Sequence, residues 1–286
     1  MGGTNPKLER KATQVARRWG LTLEQQLVAE KNRVAYKVAS PWGPAAFKVY
    51  RDLNAAGERS AAGFYQRLPN GLGPTLFKTS PLSRAILVEW LEGPSLGDMR
   101  KAGQEDEANV YLAQVTRALY HANLTIPFRY LRLSKILEQK LKVTSSETIT
   151  DEFATALDQV ANLLNELNNT TQTEQVIHGD LHYENVILTP DGPKLFDPKV
   201  YRADPAAELS KALLAGHDDM QIEEFSDRIA KRAAALVPAT DSQPKRLIGW
   251  STVLYATRLF KARNIGHADQ IEFEKLDTLL KLSAAR

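Results

Sequence analysis

His178-Gly179-Asp180-Leu181-His182-Tyr183-Glu184-Asn185 stands between two apolar runs, Val176-Ile177 before it and Val186-Ile187-Leu188 after it, and Lys194-Leu195-Phe196-Asp197-Pro198 follows. The intervening Pro190-Asp191-Gly192-Pro193 is a turn sequence, so the runs around it read as a small hairpin that presents polar residues at its ends. Asp180 and Asn185 lie five residues apart on one loop, and the hairpin brings Asp197, twelve residues beyond Asn185, back beside them. Two carboxylates and an amide oxygen in one cleft suit phosphoryl transfer from ATP. One carboxylate orients the acceptor hydroxyl, while the amide oxygen and the second carboxylate hold the Mg²⁺ that bridges the nucleotide phosphates. Asp180 is therefore the candidate catalytic residue, with Asn185 and Asp197 the candidate metal ligands.

The same octet has a second reading as a metal site, because His178 and His182 have i, i+4 spacing. That spacing converges only on a helix, and Gly179 with its flanking strand-like runs argues against one. His178 is expected instead to hydrogen-bond the loop backbone and hold Asp180 in place.

Working outward toward the amino terminus, Leu8, Ala12, Val15, Ala16 and Trp19 recur at helical spacing, and Gly20 ends the run. Short β-rich stretches follow at Gln26 to Glu30, Val34 to Val38 and Ala45 to Tyr50, with Pro41-Trp42-Gly43-Pro44 as the turn of an antiparallel hairpin. Asn54 to Leu68 reads as a helix, and Thr75 to Lys78 and Ala85 to Glu89 as two further strands. Lys48 sits mid-strand in Ala46-Phe47-Lys48-Val49, a costly place for an unpaired ammonium. Glu58, ten residues on, is its expected partner, and the pair would aim the lysine at the nucleotide phosphates. Beyond the connector Glu92 to Gly97 nearly everything apart from the octet and its hairpin is helical in period, with Phe153 to Leu167 and Pro205 to Leu214 among the helices. Asp204 is the expected cap of the second of these, with Pro205 at its first position.

Composition limits the alternatives. The 286 residues are 43% hydrophobic and 25% charged, with a net charge of +3 and no cysteine, so disulfides, cysteine-ligated metal centres and thiol nucleophiles are excluded. Basic residues are interleaved with acidic ones, which argues against nucleic acid as a partner. No run approaches the length of a membrane span and the first residues lack the apolar core of a signal peptide. The expectation is a cytoplasmic protein without a membrane partner, a monomer or weak dimer acting on a small-molecule hydroxyl acceptor.

With these residues in view, the chain resembles the aminoglycoside phosphotransferases of the protein-kinase-like fold. His-Gly-Asp-Leu-His-x-x-Asn at 178–185 is similar to their catalytic segment, and Phe196-Asp197-Pro198-Lys199 stands where protein kinases carry Asp-Phe-Gly. The likeness extends to the streptomycin 6-kinase and hydroxyurea resistance branch through Ala16-Arg-Arg-Trp-Gly-Leu-Thr-Leu23, Asp197-Pro-Lys199, Asp204-Pro-Ala-Ala-Glu-Leu209 and Arg246 to Tyr255. Fructosamine kinases share a similar His-Gly-Asp-Leu and Phe-Asp-Pro.

The resemblance implies an α+β, bilobal protein-kinase-like fold: an antiparallel five-stranded nucleotide-binding lobe over residues 1–91 and a mainly helical catalytic and substrate lobe over 92–286. It implies ATP and Mg²⁺ as cofactors and backbone recognition of adenine at Glu89 to Leu91. A streptomycin-type aminoglycoside is the leading acceptor; a sugar, a fructosamine-like sugar amine or an amino alcohol is the alternative, and a silent nucleotide-binding scaffold is a third reading. A protein substrate is disfavoured, because Asp197 runs into the helical pattern at Pro205 within eight residues.

Two departures stand out. Val28-Ala-Glu-Lys-Asn-Arg-Val34 has no glycine where the family covers the phosphates with them, so Lys31, Asn32 and Arg33 are expected to supply side-chain donors. A polycationic acceptor also needs local acids. Asp218, Asp219 and Glu223, with Glu224 and Asp227, are one candidate cluster, and Asp269, Glu272 and Glu274 another; Lys199 is a candidate contact to phosphate or substrate.

Overall fold

Asn5 starts the first helix by accepting the backbone N–H groups of Lys7 and Leu8 on its side chain, and Pro6 occupies the first helical position. The structure is a computed structural model that describes residues 5–51, 58–125, 131–144, 151–217, 220–261 and 270–284. Helix α1 (Pro6–Trp19) ends at Gly20, whose φ of 70° is the left-handed conformation that closes a helix and favours glycine. Its buried stripe of Leu8, Ala12, Val15, Ala16 and Trp19 packs on the sheet, with the Trp19 ring edge-on to Phe47 at 5.7 Å.

That sheet contains β1 (Thr22–Ala29), β2 (Arg33–Ser40), β3 (Gly43–Tyr50), β4 (Leu76–Ser80) and β5 (Ala85–Glu89) in the order β1-β2-β3-β5-β4, antiparallel throughout. Strand alternation explains how it positions the site. Ala45, Phe47 and Val49 of β3 point into the core under α1, so Ala46, Lys48 and Tyr50 face the other way, where Ala46 and Tyr50 pack against the core of the rest of the molecule. Helix α2 (Glu58–Tyr65) joins β3 to β4 and contributes Phe64 and Tyr65 to that second core.

Beyond β5 the chain is mainly helical: α3 (Leu96–Lys101), α4 (Glu105–Ala122), α5 (Leu133–Thr144) and α6 (Asp151–Thr170) precede the octet at 178–185. β6 (Gln175–Ile177) leads into that segment, and the hairpin β7 (Val186–Thr189) with β8 (Gly192–Leu195) leaves it. β9 (Tyr201–Ala203) then pairs with β6, Ile177 opposite Tyr201. Helices α7 (Ser210–Leu213), α8 (Ile222–Leu236), α9 (Pro244–Lys261) and α10 (Gln270–Ala284) complete the chain. One buried apolar cluster runs from Phe64, Ile86 and Val88 through Leu112 and Leu164 to Val253 and Leu279, so the sheet and the helical lobe share a core. No helix among the described residues is long and apolar enough to cross a membrane.

The bilobal α+β arrangement expected from the sequence is the one observed. Several local readings differ, α2 among them, which ends at Tyr65 rather than Leu68, while residues 54–57 of the expected helix lie outside the described residues. β1 begins at Thr22 rather than Gln26, because Thr22 and Leu23 pair with Ala39 and Val38. The hairpin turn is shorter than Pro41 to Pro44, since Gly43 and Pro44 already belong to β3. Pro205 to Leu214 is a 3₁₀ segment, Pro205–Leu209, followed by the short α7. Asp204 caps it as expected, accepting from Ala206 N–H. β9 has only three residues, too few for a period-2 pattern to register, and its place is fixed by pairing with β6.

Candidate active site

Between β6 and β7 the octet is held by a web of bonds to its backbone. Gly179 has a φ of +74°, and a Cβ there would meet the Tyr201 ring at 2.4 Å, so both conformation and space demand glycine. The ring of His178 is fully buried and packs edge-on to Phe64. Burial depresses its pKa to about 3, which keeps the ring neutral. Its Nε2 donates to Phe196 O at 2.8 Å, leaving Nδ1 to accept from Asp180 N–H at 3.3 Å. His178 thus fixes the backbone of Asp180, as expected. Glu208, which the sequence reading did not single out, accepts from His178 N–H at 2.6 Å and Gly179 N–H at 3.0 Å. It also bonds the backbone of Leu181, and burial raises its carboxyl to about 7 against the effect of these bonds.

Asn185 donates through Nδ2 to Asp180 O at 2.8 Å, which leaves its amide oxygen for another partner. The backbone of Asn185 in turn accepts Phe196 N–H, tying the octet to the strand that delivers Asp197. His182 does not pair with His178. Its Nδ1 meets Glu184 Oε2 at 2.8 Å, and that hydrogen bond is the first cause of a Glu184 carboxyl lowered to about 2.

The turn carrying Asp197 is strained at both ends, with φ of 58° at Asp197 and 47° at the β-branched Val200. Such conformations cost of order 1–3 kcal/mol each and persist where the surroundings over-determine them. Here Lys199 N–H and Val200 N–H both donate to His178 O, Asp197 N–H donates to the Tyr65 hydroxyl at 2.9 Å, and Val200 is buried. The Asp197 carboxylate meets Lys48 Nζ on Oδ1 and Arg33 at 3.4 Å on Oδ2. Burial alone would raise this carboxyl; Lys48, then Arg33, overcome it and hold it near 2.

Asp180 is 6% exposed, and two lysines reach its carboxylate. Lys199 Nζ lies 2.7 Å from Oδ2 and Lys211 Nζ contacts Oδ1. Burial lowers the Lys199 ammonium, and burial, with repulsion from Arg258 and Lys140, lowers that of Lys211 to about 8. Sequence reading missed Lys211. Its signal was that Glu208 and Lys211, three residues apart and hence on one face, interrupt the apolar run Ala206, Ala207, Leu209, Ala212, Leu213.

The remaining candidates are placed as follows. Lys31 and Asn32 form the exposed β1–β2 tip, their backbone carbonyls taken by Asn5 and Arg51, and of that trio only Arg33 reaches Asp197 among the described contacts. Glu89 closes β5 and its carboxylate accepts Thr75 N–H and hydroxyl at 2.9 and 3.0 Å. Trp90 N–H donates to Pro44 O, whereas Leu91 N–H has no hydrogen-bond partner among the described residues. Glu58 opens α2, but its side chain lies outside the described residues, as do Asp218, Asp219 and Asp269. Glu223 lies in the first turn of α8 beside Glu224, which pairs with Arg228 at 2.7 Å. No hydrogen bond or ion pair among the described residues joins Glu223 to Asp180, Asn185 or Asp197.

The described residues contain no cluster of three or more His, Asp or Glu side chains fit to hold a metal alone. Mg²⁺ commonly binds through one or two protein oxygens together with substrate phosphates and water. Asp197 and the amide oxygen of Asn185 are the donors of the right chemistry.

A model of the family described as aminoglycoside/hydroxyurea antibiotic resistance kinase matches residues 18–265. No curated protein matches the sequence. Among solved structures, a choline/ethanolamine kinase family protein from Mesorhizobium loti superposes with a TM-score of 0.65 at 14% identity, covering 97% of this chain and 94% of that one. A thermostable mutant of aminoglycoside phosphotransferase APH(4)-Ia, in ternary complex with AMP-PNP and hygromycin B, gives 0.64 at 13% identity, covering 96% and 99%. Choline kinase LicA from Streptococcus pneumoniae gives 0.65 at 11% identity, covering 95% and 99%. At these identities the likeness is one of fold.

Proposed function

The chain belongs to the aminoglycoside/hydroxyurea antibiotic resistance kinase family, and from that premise we propose that it is an ATP-dependent phosphotransferase that uses Asp180, Asn185, Asp197 and Lys48 to phosphorylate a hydroxyl of a small molecule. The observation that carries the reading is the meeting of Lys48 from the sheet with Asp197, on the same turn that delivers Lys199 to Asp180. Asp180 orients the acceptor hydroxyl and receives its proton. Asn185 and Asp197 hold Mg²⁺, which supplies charge neutralisation at the phosphates when bound. Lys48, with Arg33 beside it, serves the phosphates in place of the missing glycines. Glu89 C=O and Leu91 N–H read the adenine edge, and residues 1–91 and 92–286 act as the nucleotide-binding and the catalytic and substrate lobes. The protein works in the cytoplasm as a monomer or weak dimer.

For the acceptor, the family premise favours an aminoglycoside of the streptomycin type. One observation favours a second reading: two ammonium groups already crowd Asp180, so a neutral hydroxyl compound such as a sugar meets less repulsion there than a polycation. The test is a coupled assay of MgATP consumption against streptomycin, other aminoglycosides, sugars and amino alcohols, with Asp180→Asn as control. Turnover on one acceptor, abolished in the control, supports the assignment. Measurable ATP binding with no turnover on any compound would favour the silent scaffold.

A further inference from the structure

Two ammonium groups crowd the Asp180 carboxylate. Lys199 arrives on Oδ2 from the strained turn after Asp197, and Lys211 arrives on Oδ1 from the first turn of α7. Asp180 is the only ion-pair partner of either lysine among the described residues. Two cations against one anion is more than a structural ion pair requires, and a surplus ammonium partly withdrawn from water gains from a further anion.

The geometry also crowds the proposed base. A carboxylate can orient and deprotonate a hydroxyl only through an oxygen that the hydroxyl can reach, so an ammonium has to draw back where the acceptor enters. Lys211, the more enclosed of the two, gains from another anion that receives it. Lys48 is committed to Asp197, and Arg33 to Asp197 and Glu30.

We propose that Lys211, with Lys199 as its companion, is a phosphoryl-handling residue that neutralises Asp180 at rest and passes to the transferring phosphoryl group as the acceptor takes its place. The proposal rests on the phosphotransfer reading of this site. In the step it serves, a bond forms between the acceptor oxygen and the γ-phosphorus, and the bond from that phosphorus to the bridging oxygen of ADP breaks. ADP keeps the electron pair, the hydroxyl proton goes to Asp180, and both ammonium groups remain protonated. Neither lysine belongs to the octet or to the metal pair. Lys211 is the more enclosed of the two, its side chain 21% exposed against 47% for Lys199, so its charge is the less screened and its contribution the larger.

The test needs no acceptor. MgADP, alone and with aluminium fluoride as a mimic of the transferring phosphoryl, is titrated into the full chain by calorimetry. Lys211→Met is expected to bind MgADP within about threefold of the unaltered chain but to lose about tenfold or more of the fluoride-dependent gain, the scale of removing one charged donor from a transition-state site. Lys199→Met should lose less, and Lys211→Arg should recover part of the gain. Placed on Asp180→Asn, where no carboxylate remains to be paired, Lys211→Met should still lower the gain; a residue acting only as partner of Asp180 would change nothing there. The Asp180→Asn background also serves if Lys211→Met alone fails to fold. An undiminished gain in Lys211→Met and in the double variant overturns the proposal alone. Failure of MgADP to bind the unaltered chain would overturn the phosphotransfer reading, and this proposal with it.

Discussion

Lys48 on β3 and Asp197 on the turn after β8, 149 residues apart, form a direct ion pair across the cleft between the sheet and the helical lobe. The pair joins the proposed phosphate lysine to the proposed metal ligand, so on the proposed reading nucleotide and Mg²⁺ would bind by exchanging partners within a set of charges already assembled. Sequence reading expected the lysine to be steadied by Glu58, whose side chain lies outside the described residues; the described contacts of Lys48 run to Asp197 and to the ring of Phe196, 5.9 Å away.

Lys48→Met should therefore weaken MgATP binding by about 10- to 100-fold, because it removes the cation from the phosphates and leaves the half-buried Asp197 carboxylate with only Arg33 as an ion-pair partner among the described residues. Calorimetric titration of MgATP reads this directly. An affinity within threefold of the unaltered chain would remove Lys48 from the site.

Asp180→Asn should lower turnover by about 10² to 10⁴ while leaving MgATP binding within a few-fold, since the side chain serves proton transfer and orientation rather than the nucleotide. The amide keeps the shape but cannot take the hydroxyl proton. Equal turnover would remove Asp180 from catalysis.

Gly179→Ala places a methyl against the Tyr201 ring at 2.4 Å on a backbone with φ of +74°. A cost of about 2 kcal/mol or more is expected from strain and overpacking together, read as a fall in the urea midpoint. The same substitution should lower turnover, because Gly179 lies between His178 and Asp180 and its N–H is held by Glu208. A variant with unchanged midpoint and turnover would show that the loop tolerates another path.

Glu208 gives the fold a dependence on pH. Burial raises its carboxyl from 4.5 to about 7, so between those values the native state binds the proton more tightly than the unfolded chain. The contribution of this group is fully present below about 4.5 and is lost as pH rises through 7, at no more than about 1.4 kcal/mol per pH unit. Glu208→Gln should flatten the stability curve between pH 4.5 and 7, because the amide does not titrate. Urea denaturation at pH 5 and pH 7.5 tests it, and a slope identical to that of the unaltered chain would contradict it.

The loop, its hairpin and the five strands were legible because each rests on local chemistry. Gly179 and Pro190-Asp191-Gly192-Pro193 specify turns, the runs Val186 to Leu188 and Ala85 to Glu89 read as short strands, and Asp204 before Pro205 reads as a cap. The spacing of Asp180, Asn185 and Asp197 carried the chemistry for the same reason: a loop and a tight hairpin bring them together without help from distant chain.

What surrounds those residues was decided only by the tertiary structure. Glu208 is 30 residues from the His178 N–H that it accepts, Lys211 lies 31 residues beyond Asp180, and Arg33 reaches Asp197 across 164 residues. Each sits in a stretch where a charged residue reads equally well as a solvated surface group. No local pattern separates a lysine that faces water from one that crosses the cleft; packing of the helical lobe on β6, β9 and the sheet selects which charges are buried and which carboxylates they meet. The sequence by itself determined the loop and hairpin that carry the proposed reaction centre and the bilobal α+β arrangement, because turns, strand alternation and caps act over a few residues. The electrostatic setting of that centre belongs to the folded molecule, because burial and charge pairing act through space.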